Sequence, residues 1–341
     1  MAANPICIIA EAGVNHNGSI DTAKKLIEVA ARAGADYVKF QTFTAEKTVS
    51  VVAQKAAYQI KSEPNDVTTQ FEMLKQLELS ESAHFELAEY CRYHGIKFLS
   101  TAFDESGVDL LLKLKVDFLK IPSGEITNKP FLEYIAKQGK PVVLSTGMSY
   151  MQEVEAAVSC LIKNGLTKDM IKILHCTTEY PCPYEDVNLL AMRSMQEKLG
   201  IPIGYSDHSE GIEVAIAAAA MGACIIEKHF TLDKNMVGPD HQASIEPNEL
   251  MQMIRSIRAI EKALGSAEKK PASSEIKNIV IARKSIHLRR ALPKQHLLQL
   301  SDLEMKRPGD GISPMDINLV LGKRLKNDFS AEYKLLFQDI E

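Results

Sequence analysis

The segment IIEKHF, residues 225–230, places a glutamate, a lysine and a histidine directly behind an apolar run, and IGYSDHS, residues 203–209, shows the same pattern earlier in the chain. Unpaired charges in a sealed core cost several kcal/mol each. Ionisable groups that end apolar strands are instead typical of parallel barrels, whose strands carry the active site at their carboxyl ends. The two segments therefore predict neighbouring strands that end at a functional rim.

Short runs rich in Val, Ile and Phe recur along the rest of the chain, with helical patterns between them, which is the signature of successive βα units. The predicted strands lie in ICIIAEAGV (6–14), YVKFQTF (37–43), KFLSTAF (97–103), FLKIPSGE (118–125), PVVLSTG (141–147), IKILHCTTEY (171–180), IPIGYSDHS (201–209) and CIIEKHFTL (224–232). Eight strands close a (β/α)8 TIM barrel of about 250 residues. The alternative is an open doubly wound sheet, but no GxGxxG follows the first strand to support its dinucleotide-binding form.

Most predicted helices end at a glycine, the usual carboxyl-terminal stop of a helix. Clear examples are residues 20–34, 133–139, 153–165 and 192–200. The segment 48–70, after the second strand, is longer than a barrel loop needs. We expect it to form a lid or a substrate loop.

The chain is expected to contain two domains. Residues 1–265 hold the eight strands and form the barrel, and the polar stretch SAEKKPASSE indicates a linker over residues 266–283. From about Lys284 the pattern changes to short strands and turns that include RPGDG. We therefore expect a small second domain over residues 284–341.

The composition is that of an ordinary globular protein, with 341 residues, 45% of them hydrophobic and 25% charged. The formal net charge of -4 gives no electrostatic reason to expect nucleic acid or an anionic membrane as a partner. The longest apolar run, residues 214–226, is shorter than the roughly 18 residues that span a bilayer, and the N-terminus lacks a secretion-signal pattern. Six cysteines without a CxxC pair are typical of reduced packing thiols. We expect a cytoplasmic protein that acts on small molecules.

Polar residues recur at the predicted carboxyl ends of the strands, where inward-facing side chains form barrel active sites. They are Glu11, Lys39, Gln41, Lys120, Ser123, Glu125, Ser145, Thr178, Tyr180, Ser206, His208, Glu227 and His229. Within most pairs on one strand the spacing is two, so both members share a face. A single such residue would mean little, because a histidine at a strand end is commonly bonded to a backbone carbonyl. The repetition around the ring is what predicts a site.

His208 and His229 end adjacent strands, where two imidazoles can bind one divalent cation and leave positions for water and substrate. Two histidines alone do not specify the metal. His16 follows the first strand, which closes against the eighth, and is either a further site residue or a loop residue. Lys39 and Lys120, with serine hydroxyls, can hold a phosphate and a carboxylate together, or else form salt bridges with carboxylates at the rim.

Eight segments then carry a likeness to a known family. They are AEAGVNHNG (10–18), VKFQTF (38–43), KIPSGE (120–125), LSTGM (144–148), LHCTTEYP (174–181), YSDHS (205–209), EKHFTLDKNMVGPDH (227–241) and KRPGDGIS (306–313). Together they resemble the bacterial sialic acid synthase family, which includes N-acetylneuraminate, legionaminate and pseudaminate synthases. The resemblance covers nearly the whole chain. It implies a barrel followed by a SAF domain, similar to type III antifreeze proteins, and a homodimer with swapped C-terminal domains.

The resemblance implies a transferase that condenses phosphoenolpyruvate with an open-chain N-acetylated mannosamine-type aldose. Phosphate is released by C–O cleavage, and a nine-carbon 2-keto acid is formed. The phosphoenolpyruvate contacts implied by the resemblance are Lys39, Lys120, Ser123, Ser145 and Ser206, with Thr178 at a further polar contact. His208 and His229 would bind Mn²⁺ or Mg²⁺.

Other roles follow from the same resemblance. Glu125 is the candidate for handling protons, and Lys120 and Glu11 are the other catalytic candidates. Gln41 is a further substrate-binding position, and the positions that resemble sugar contacts are Glu11, Tyr180 and Asp240. Arg307 resembles the family arginine that reaches from the SAF domain into the barrel of the partner subunit and contacts the N-acyl group.

Two residues depart from the family pattern. Thr178 stands where many neuraminate-forming members have asparagine, and Gln295 stands where a turn glycine is common. The segments CTTEY (176–180), SGEITN (123–128) and EKHFTLDKNM (227–236) look closest to the legionaminate branch, whose sugar is a 2,4-diacetamido-6-deoxymannose.

Two other functions remain open from the residues. Lys120 on a barrel strand could form a Schiff base with a keto acid, as in an aldolase. That reading predicts borohydride trapping of Lys120 and full activity in a chelator, whereas the synthase predicts the reverse. A sugar-binding protein without catalysis is the third reading, and phosphate release from phosphoenolpyruvate and an aldose would exclude it.

Overall fold

Eight parallel strands close into a barrel in sequence order. The computed structural model of the protein describes residues 5–55 and 69–341. The barrel strands are β1 Cys7–Gly13, β2 Tyr37–Thr42, β3 Lys97–Ala102, β4 Leu119–Ile121, β5 Val142–Ser145, β6 Ile171–His175, β7 Ile203–Asp207 and β8 Ile225–His229. Strand β1 pairs with β8 as well as with β2, which completes the ring. The predicted (β/α)8 barrel is confirmed.

Helices connect the strands of the barrel and continue into the C-terminal part of the chain. Those of the described residues are α1 Ile20–Ala33, α2 Ala45–Thr48, α3 Gln70–Leu77, α4 Glu81–Tyr93, α5 Glu105–Lys113, α6 Lys129–Lys137, α7 Met151–Lys163, α8 Tyr184–Val187, α9 Ala191–Leu199, α10 Glu213–Ala220, α11 Pro247–Leu264 and α12 Ile276–Ala282. Helix α1 shows the local causes. The Ser19 hydroxyl accepts a hydrogen bond from the Thr22 amide at the start, and Gly34 ends the helix at a φ of 85°.

The barrel interior changes from apolar to charged along the strand direction. Ile9, Leu99 and Ile225 point inward and are buried. Burial of one such side chain contributes about 1.5–3 kcal/mol to stability. Two residues further along the same strands, the inward positions are occupied by polar side chains. The apolar layer therefore supports a polar layer at the carboxyl rim.

Residues 56–68, the middle of the segment expected to form a lid or a substrate loop, lie outside the described residues. In the described part of the chain, no helix combines the length and the apolar character needed to cross a bilayer.

The chain divides into two compact units, Met1–Gly265 and Ser266–Glu341. In the second unit β9, Ser285–Leu288, pairs antiparallel with β10, Leu303–Lys306. A separate apolar core stabilises this unit, and it includes Ile286, Leu288, Leu303, Val320, Leu325 and Leu335.

The region 266–283, which the sequence predicts to be a linker, is not helix-poor throughout. Its first part contains Pro271 and is without a helix, but Ile276–Ala282 forms helix α12. Because these seven residues include neither glycine nor proline, nothing in their sequence interrupts a short helix.

Gln295 takes the left-handed conformation that the family's turn glycine would adopt, with a φ of 65°. Its amide donates to the carbonyl of Leu325, and its carbonyl accepts from Arg324. The turn is therefore kept with a non-glycine residue, which strains the backbone at this position.

Candidate active site

The strand register brings polar residues from distant parts of the chain to one level of the barrel. Glu11 on β1 lies opposite Lys39 on one side and His229 on the other. Ser206 lies opposite Glu227 between β7 and β8. Because successive residues of each strand face alternately inward and outward, these side chains share the barrel interior.

A cavity of about 250 Å³ opens at this level. It is lined by Glu11, Lys39, Gln41, Thr101, Phe103, Lys120, Pro122, Ser123, Gly124, Ser145, Met148, Cys176, Thr178, Tyr180, Ser206, His208, Glu227 and His229. Most of the residues singled out in the sequence are therefore gathered around one cavity. A larger cavity of about 540 Å³ contains none of them, although it shares Met148 and Cys176 with the first.

Two lysines and two glutamates form a buried charge cluster in the cavity. The Lys39 Nζ atom lies 2.7 Å from Glu11 Oε2 and 3.6 Å from Glu227 Oε2. The Lys120 Nζ atom lies 3.4 Å from Glu227 Oε1. Opposite charges therefore balance when all four groups are ionised.

Hydroxyl groups complete the cluster. Lys39 donates to Thr101 Oγ1 at 2.9 Å, and Lys120 donates to Ser145 Oγ at 2.7 Å. Ser206 donates to Glu227 at 2.9 Å. Each ammonium thus has a neutral partner as well as a carboxylate.

The cluster separates the pKa values of its two carboxyl groups. Burial raises the pKa of Glu11 and outweighs the opposing effect of Lys39. Burial also opposes ionisation of Glu227, but Lys120 and Lys39 together outweigh it and lower the pKa of this carboxyl. Two acids in one cavity with opposite shifts are suited to different roles, one as a proton carrier and one as a permanent anion.

The two lysines are also different. Burial opposes the charge on Lys39, yet Glu11 and Glu227 raise its pKa above the ordinary value. Burial lowers the pKa of Lys120, because Glu227 compensates only in part. Lys39 is thus held as a cation, and Lys120 is the amine that loses its proton more readily.

The imidazoles of His208 and His229 lie side by side, with ring centroids 5.6 Å apart. His208 Nδ1 lies 2.6 Å from the carbonyl oxygen of Thr177, which can only accept, so Nδ1 carries the hydrogen. The lone pair of His208 is therefore on Nε2, which lies 3.5 Å from Ser206 Oγ. A hydrogen bond from the far nitrogen to a carbonyl is the usual arrangement of a metal-binding histidine.

Burial keeps both imidazoles neutral. It lowers the pKa of His208 to about 4 and that of His229 well below its ordinary value. His229 Nδ1 is buried, and no described group forms a hydrogen bond with it. Since neutral imidazoles with free lone pairs are the form that coordinates cations, the pair fits a divalent metal.

The protein supplies few further metal ligands. Across residues 5–55 and 69–341, no group of three or more His, Cys, Asp or Glu side chains has the geometry of a metal site. The Asp240 carboxylate lies near His229, with Oδ2 3.8 Å from Nδ1. A cation held by the two histidines would keep open positions for water and substrate.

One wall of the cavity is built by a close approach of the three loops that follow β4, β5 and β6. The Gly147 amide donates to Ser123 Oγ at 2.9 Å, and Ser123 Oγ lies 3.2 Å from Cys176 Sγ. A Cβ atom at Gly147 would lie 2.1 Å from Thr178 Oγ1. The hydroxyl of Thr178 is buried and has no hydrogen-bond partner among the described residues, so it is available to a ligand.

Some residues expected at the site are not among those that line the cavity. The Glu125 carboxylate accepts a hydrogen bond from Asn128 at 2.6 Å and does not line the cavity. Asp240 is buried beside His229, and burial raises its pKa to about 6. Arg307 belongs to the second unit, is exposed and donates to the Ala282 carbonyl. His16 is buried and accepts from the Gly18 amide, also away from the cavity lining.

Among the lining residues, Thr101 and Cys176 were not singled out from the sequence, and Glu227 was named there only as a residue at the rim. Thr101 lies two residues after the inward-facing Leu99 and opposite Gln41, so the alternation rule applied to β3 would have found it. Glu227 is visible as a rim residue, but only the structure shows that it contacts both lysines. Cys176 carries no sequence signal, because an apolar packing role gives the same pattern.

Comparisons with known proteins show the family to which the chain is related. A family model described as NeuB family matches residues 26–269, and one described as SAF domain matches residues 283–340. The N,N'-diacetyllegionaminic acid synthase of Campylobacter jejuni is 52% identical over 95% of this chain and 97% of its own. A protein of the same name from Legionella pneumophila is 48% identical over 98% of this chain and 94% of its own.

The similarity extends to solved structures. The crystal structure of an N-acetylneuraminic acid synthetase from Leptospira borgpetersenii, in complex with citrate, is 36% identical and superimposes with a TM-score of 0.71. The superposition covers 81% of this chain and 90% of that chain.

Proposed function

The chain belongs to the NeuB family and ends in a SAF domain, and from this premise we propose that it is a nonulosonic acid synthase that condenses phosphoenolpyruvate with an N-acetylated aldose. The observation that carries the proposal is the convergence of two buried lysines beside two neutral histidines in one barrel cavity. An anionic substrate and a sugar aldehyde can meet there. Two relatives with 52% and 48% sequence identity are named synthases, which supports the same activity.

Phosphoenolpyruvate is proposed to bind where Lys39 and Lys120 converge. Both amines have carboxylate partners in the structure, and an incoming phosphate and carboxylate would share these cations through charge-assisted hydrogen bonds. The hydroxyls of Ser145 and Ser206 lie within reach of the same anion. Ser123 and the Thr178 hydroxyl, which has no hydrogen-bond partner among the described residues, extend the contacts along the wall formed after β4, β5 and β6.

The proposed reaction forms one carbon–carbon bond and breaks one carbon–oxygen bond. C3 of phosphoenolpyruvate attacks the aldehyde carbon, and the aldehyde oxygen takes up a proton to become a hydroxyl. Water adds to C2 and loses a proton, which gives a tetrahedral centre. The bond between C2 and the bridging oxygen then breaks, phosphate leaves with that oxygen, and the C2 hydroxyl loses its proton to give the keto group.

We assign the proton transfer to the aldehyde oxygen to Glu11. Its carboxyl group lies in the cavity, and burial raises its pKa, so it can carry a proton near neutral pH. Lys39, 2.7 Å away, fixes its position. Glu125, the candidate from the sequence, is directed to Asn128, so we propose for it a contact with the sugar at the rim.

His208 and His229 are the residues that would hold Mn²⁺ or Mg²⁺. When bound, a divalent cation supplies Lewis acidity that polarises a carbonyl oxygen. The two imidazoles orient the aldose aldehyde over the phosphoenolpyruvate site, and the Tyr180 ring packs against that of His208 with centroids 4.2 Å apart and planes at 32°. Asp240 and Gln41 are further proposed sugar contacts.

We propose the 2,4-diacetamido-6-deoxymannose as the sugar rather than N-acetylmannosamine. The support is the name of the two relatives at 52% and 48% identity, which are both N,N'-diacetyllegionaminic acid synthases. We also propose a homodimer in which Arg307 of one subunit contacts the N-acyl group bound by the other.

The decisive experiment is incubation of the purified protein with phosphoenolpyruvate, Mn²⁺ and each aldose in turn. We expect phosphate release and a nine-carbon 2-keto acid by mass spectrometry, faster with the diacetamido sugar. Phosphoenolpyruvate labelled with ¹⁸O at the bridging oxygen should give labelled phosphate. Unlabelled phosphate would contradict C–O cleavage, and the absence of any product would contradict the synthase.

A Schiff-base aldolase is the second candidate, because burial lowers the pKa of Lys120 as that chemistry requires. Treatment with borohydride in the presence of pyruvate distinguishes the two functions. The synthase predicts no mass increase at Lys120 and loss of activity in EDTA that Mn²⁺ restores. A covalent adduct at Lys120 with full activity in EDTA would favour the aldolase instead.

A further inference from the structure

A buried lysine lies on the outer face of β8, behind the residues of the cavity. The Lys228 Nζ atom is 2.8 Å from Asp207 Oδ2 and 2.6 Å from the carbonyl oxygen of Ser209. The side chains of Lys228 and Asp207 have no exposed surface. This ammonium is therefore fully withdrawn from water and from the substrate cavity.

The two contacts of Lys228 flank a candidate metal ligand. Asp207 and Ser209 are the residues on either side of His208, and Lys228 directly precedes His229. Strand register pairs Asp207 with Lys228. One ammonium thus joins the backbone segments that carry both histidines.

Hydrogen bonds between Asp207 and Ser209 also hold the segment around His208. Asp207 Oδ1 accepts from the Ser209 amide at 2.9 Å and from the Ser209 hydroxyl at 2.6 Å. The Lys228 ammonium therefore binds a closed turn rather than a single flexible carboxylate. Its two bonds fix both the distance and the rotation of that turn relative to β8.

The two histidines differ in how their rings are oriented. His208 has a hydrogen bond from Nδ1 to Thr177. His229 Nδ1 has no such bond in the part of the chain that the structure describes, and its ring packs edge-on against Tyr180. The position of His229 relative to His208 consequently depends on how its backbone is held.

Fold stability alone does not explain a charge pair at this position. The desolvation of two buried ions largely offsets their attraction, so apolar residues of similar volume hold strands together as well or better. What an ion pair with two directional acceptors adds is a unique geometry between two strand ends. At most positions of a barrel such geometry is unimportant, but a shared cation depends on it.

We propose that Lys228, held by Asp207 and Ser209, is a positioning residue that sets the relative placement of His208 and His229 and thereby the affinity of the pair for a divalent cation. The inference rests on the proposed role of the two histidines as metal ligands. Lys228 itself contacts neither substrate nor cation.

The test is Mn²⁺ affinity measured without substrates, from the electron paramagnetic resonance signal of free Mn²⁺ titrated with full-length protein. The double substitution Asp207→Asn with Lys228→Met removes both charges together and keeps an acceptor for Ser209. We expect it to fold, as judged by circular dichroism, and to bind Mn²⁺ about 10–100-fold more weakly, the usual loss when support of a metal ligand is removed. Ile257→Ala creates a cavity at the buried face of α11 and is the matched control for general destabilisation. It should leave Mn²⁺ affinity unchanged.

The outcomes separate the two proposals. If wild type binds Mn²⁺ and the double variant binds equally tightly, the positioning role is overturned and the metal assignment stands. If wild type shows no binding, or His208→Ala binds as wild type does, both fail together. Lys228→Arg, which keeps the charge but replaces the single nitrogen that contacts both Asp207 Oδ2 and the Ser209 carbonyl, provides the test if the double variant does not fold. A loss of a few-fold in Mn²⁺ affinity is then expected, and no loss would overturn the proposal.

Discussion

The Lys39 ammonium and the Glu11 carboxylate are 2.7 Å apart inside the barrel, and both side chains are almost wholly buried. The pair is held between a second carboxylate, Glu227, and the hydroxyl of Thr101. Because Glu227 supplies permanent negative charge to Lys39, the protonation of Glu11 can change without leaving the lysine unpaired. The arrangement suits a proton carrier next to a fixed cation.

Replacement of Glu11 by glutamine tests the assigned proton transfer. Glu11→Gln retains the size of the side chain but cannot give up or accept a proton, so kcat should fall by about 100-fold or more. The KM for phosphoenolpyruvate should change by no more than a few-fold, because Lys39 and Lys120 remain. Steady-state phosphate release, with each substrate varied in turn, measures both constants.

Glu125→Gln is the matched control, since it removes a carboxylate that lies outside the cavity lining. Its kcat should remain within about tenfold of wild type, with the larger change in the KM for the aldose. The reverse ranking, in which Glu125→Gln is inactive and Glu11→Gln is nearly normal, would assign the proton transfer to Glu125.

Gly147 tests the wall of the proposed phosphoenolpyruvate site. A Cβ atom there would lie 2.1 Å from Thr178 Oγ1 and 2.9 Å from Ser123 Oγ, so both hydroxyls would have to move. We expect Gly147→Ala to raise the KM for phosphoenolpyruvate by about tenfold or more, as loss of a charge-assisted hydrogen bond does. The far-ultraviolet circular dichroism spectrum should be unchanged.

Removal of the clashing hydroxyl provides an internal control for this variant. Thr178→Ala added to Gly147→Ala relieves the shortest contact, and part of the phosphoenolpyruvate affinity should return. A Gly147→Ala protein with normal phosphoenolpyruvate kinetics would show that these hydroxyls do not contact the substrate.

The barrel and most of its cavity lining were predictable because both follow from local rules. Apolar runs separated by amphipathic helices specify the strands, and a spacing of two specifies which residues face inward. Lys39, Lys120 and His229 were found in this way. Thr101 obeys the same rule, but it was missed because a threonine two residues after Leu99 is equally typical of a strand that only packs in the core.

Other features depend on contacts that no local pattern contains. The direction of the Glu125 side chain is decided by Asn128. The opposite pKa shifts of Glu11 and Glu227 arise because Glu227 contacts both lysines and Glu11 contacts only Lys39. Helix α12 lies within the expected linker. The prediction rested on the average composition of residues 266–283, which does not describe the seven residues Ile276–Ala282.

Arg307 provides a test of the proposed exchange of residues between subunits. Arg307→Ala should raise the KM for the aldose by about tenfold. The KM for phosphoenolpyruvate should stay within about twofold of wild type, because the proposed contact is to the N-acyl group of the aldose and not to phosphoenolpyruvate. Arg307→Lys is the control, because it keeps the positive charge and loses the planar guanidinium group with its paired donors.

Mixed dimers distinguish contact across subunits from contact within one subunit. When chains carrying Arg307→Ala are co-refolded with chains carrying His229→Ala, a contact across subunits leaves one complete site in each mixed dimer. Activity should then exceed that of either variant alone. No recovery in mixed dimers, or full activity in a monomer by light scattering, would contradict the contact across subunits.

Asp302 in the second unit gives a prediction of stability that does not depend on the catalytic site. The carboxylate is buried and accepts hydrogen bonds from Arg290, His296 and the Gln299 amide, at 2.8, 2.9 and 3.1 Å respectively. Burial opposes ionisation, but these bonds outweigh it and lower the pKa of Asp302 to about 2. The ionised form is therefore favoured by folding.

Because the folded pKa of Asp302 lies below the ordinary value of about 3.9, its contribution is complete above pH 4 and is lost as the pH falls towards 2. Asp302→Asn should lower the free energy of unfolding by about 2 kcal/mol at pH 7, and the difference from wild type should shrink steadily between pH 4 and pH 2. Hydrogen exchange of the amides of β9 and β10, followed by mass spectrometry over this range, measures the difference within the second unit. Asp316→Asn, a half-buried aspartate outside this network, is the control and should show no such pH dependence. A difference between Asp302→Asn and wild type that stays constant from pH 7 to pH 2 would show that the charge of Asp302 does not stabilise the fold.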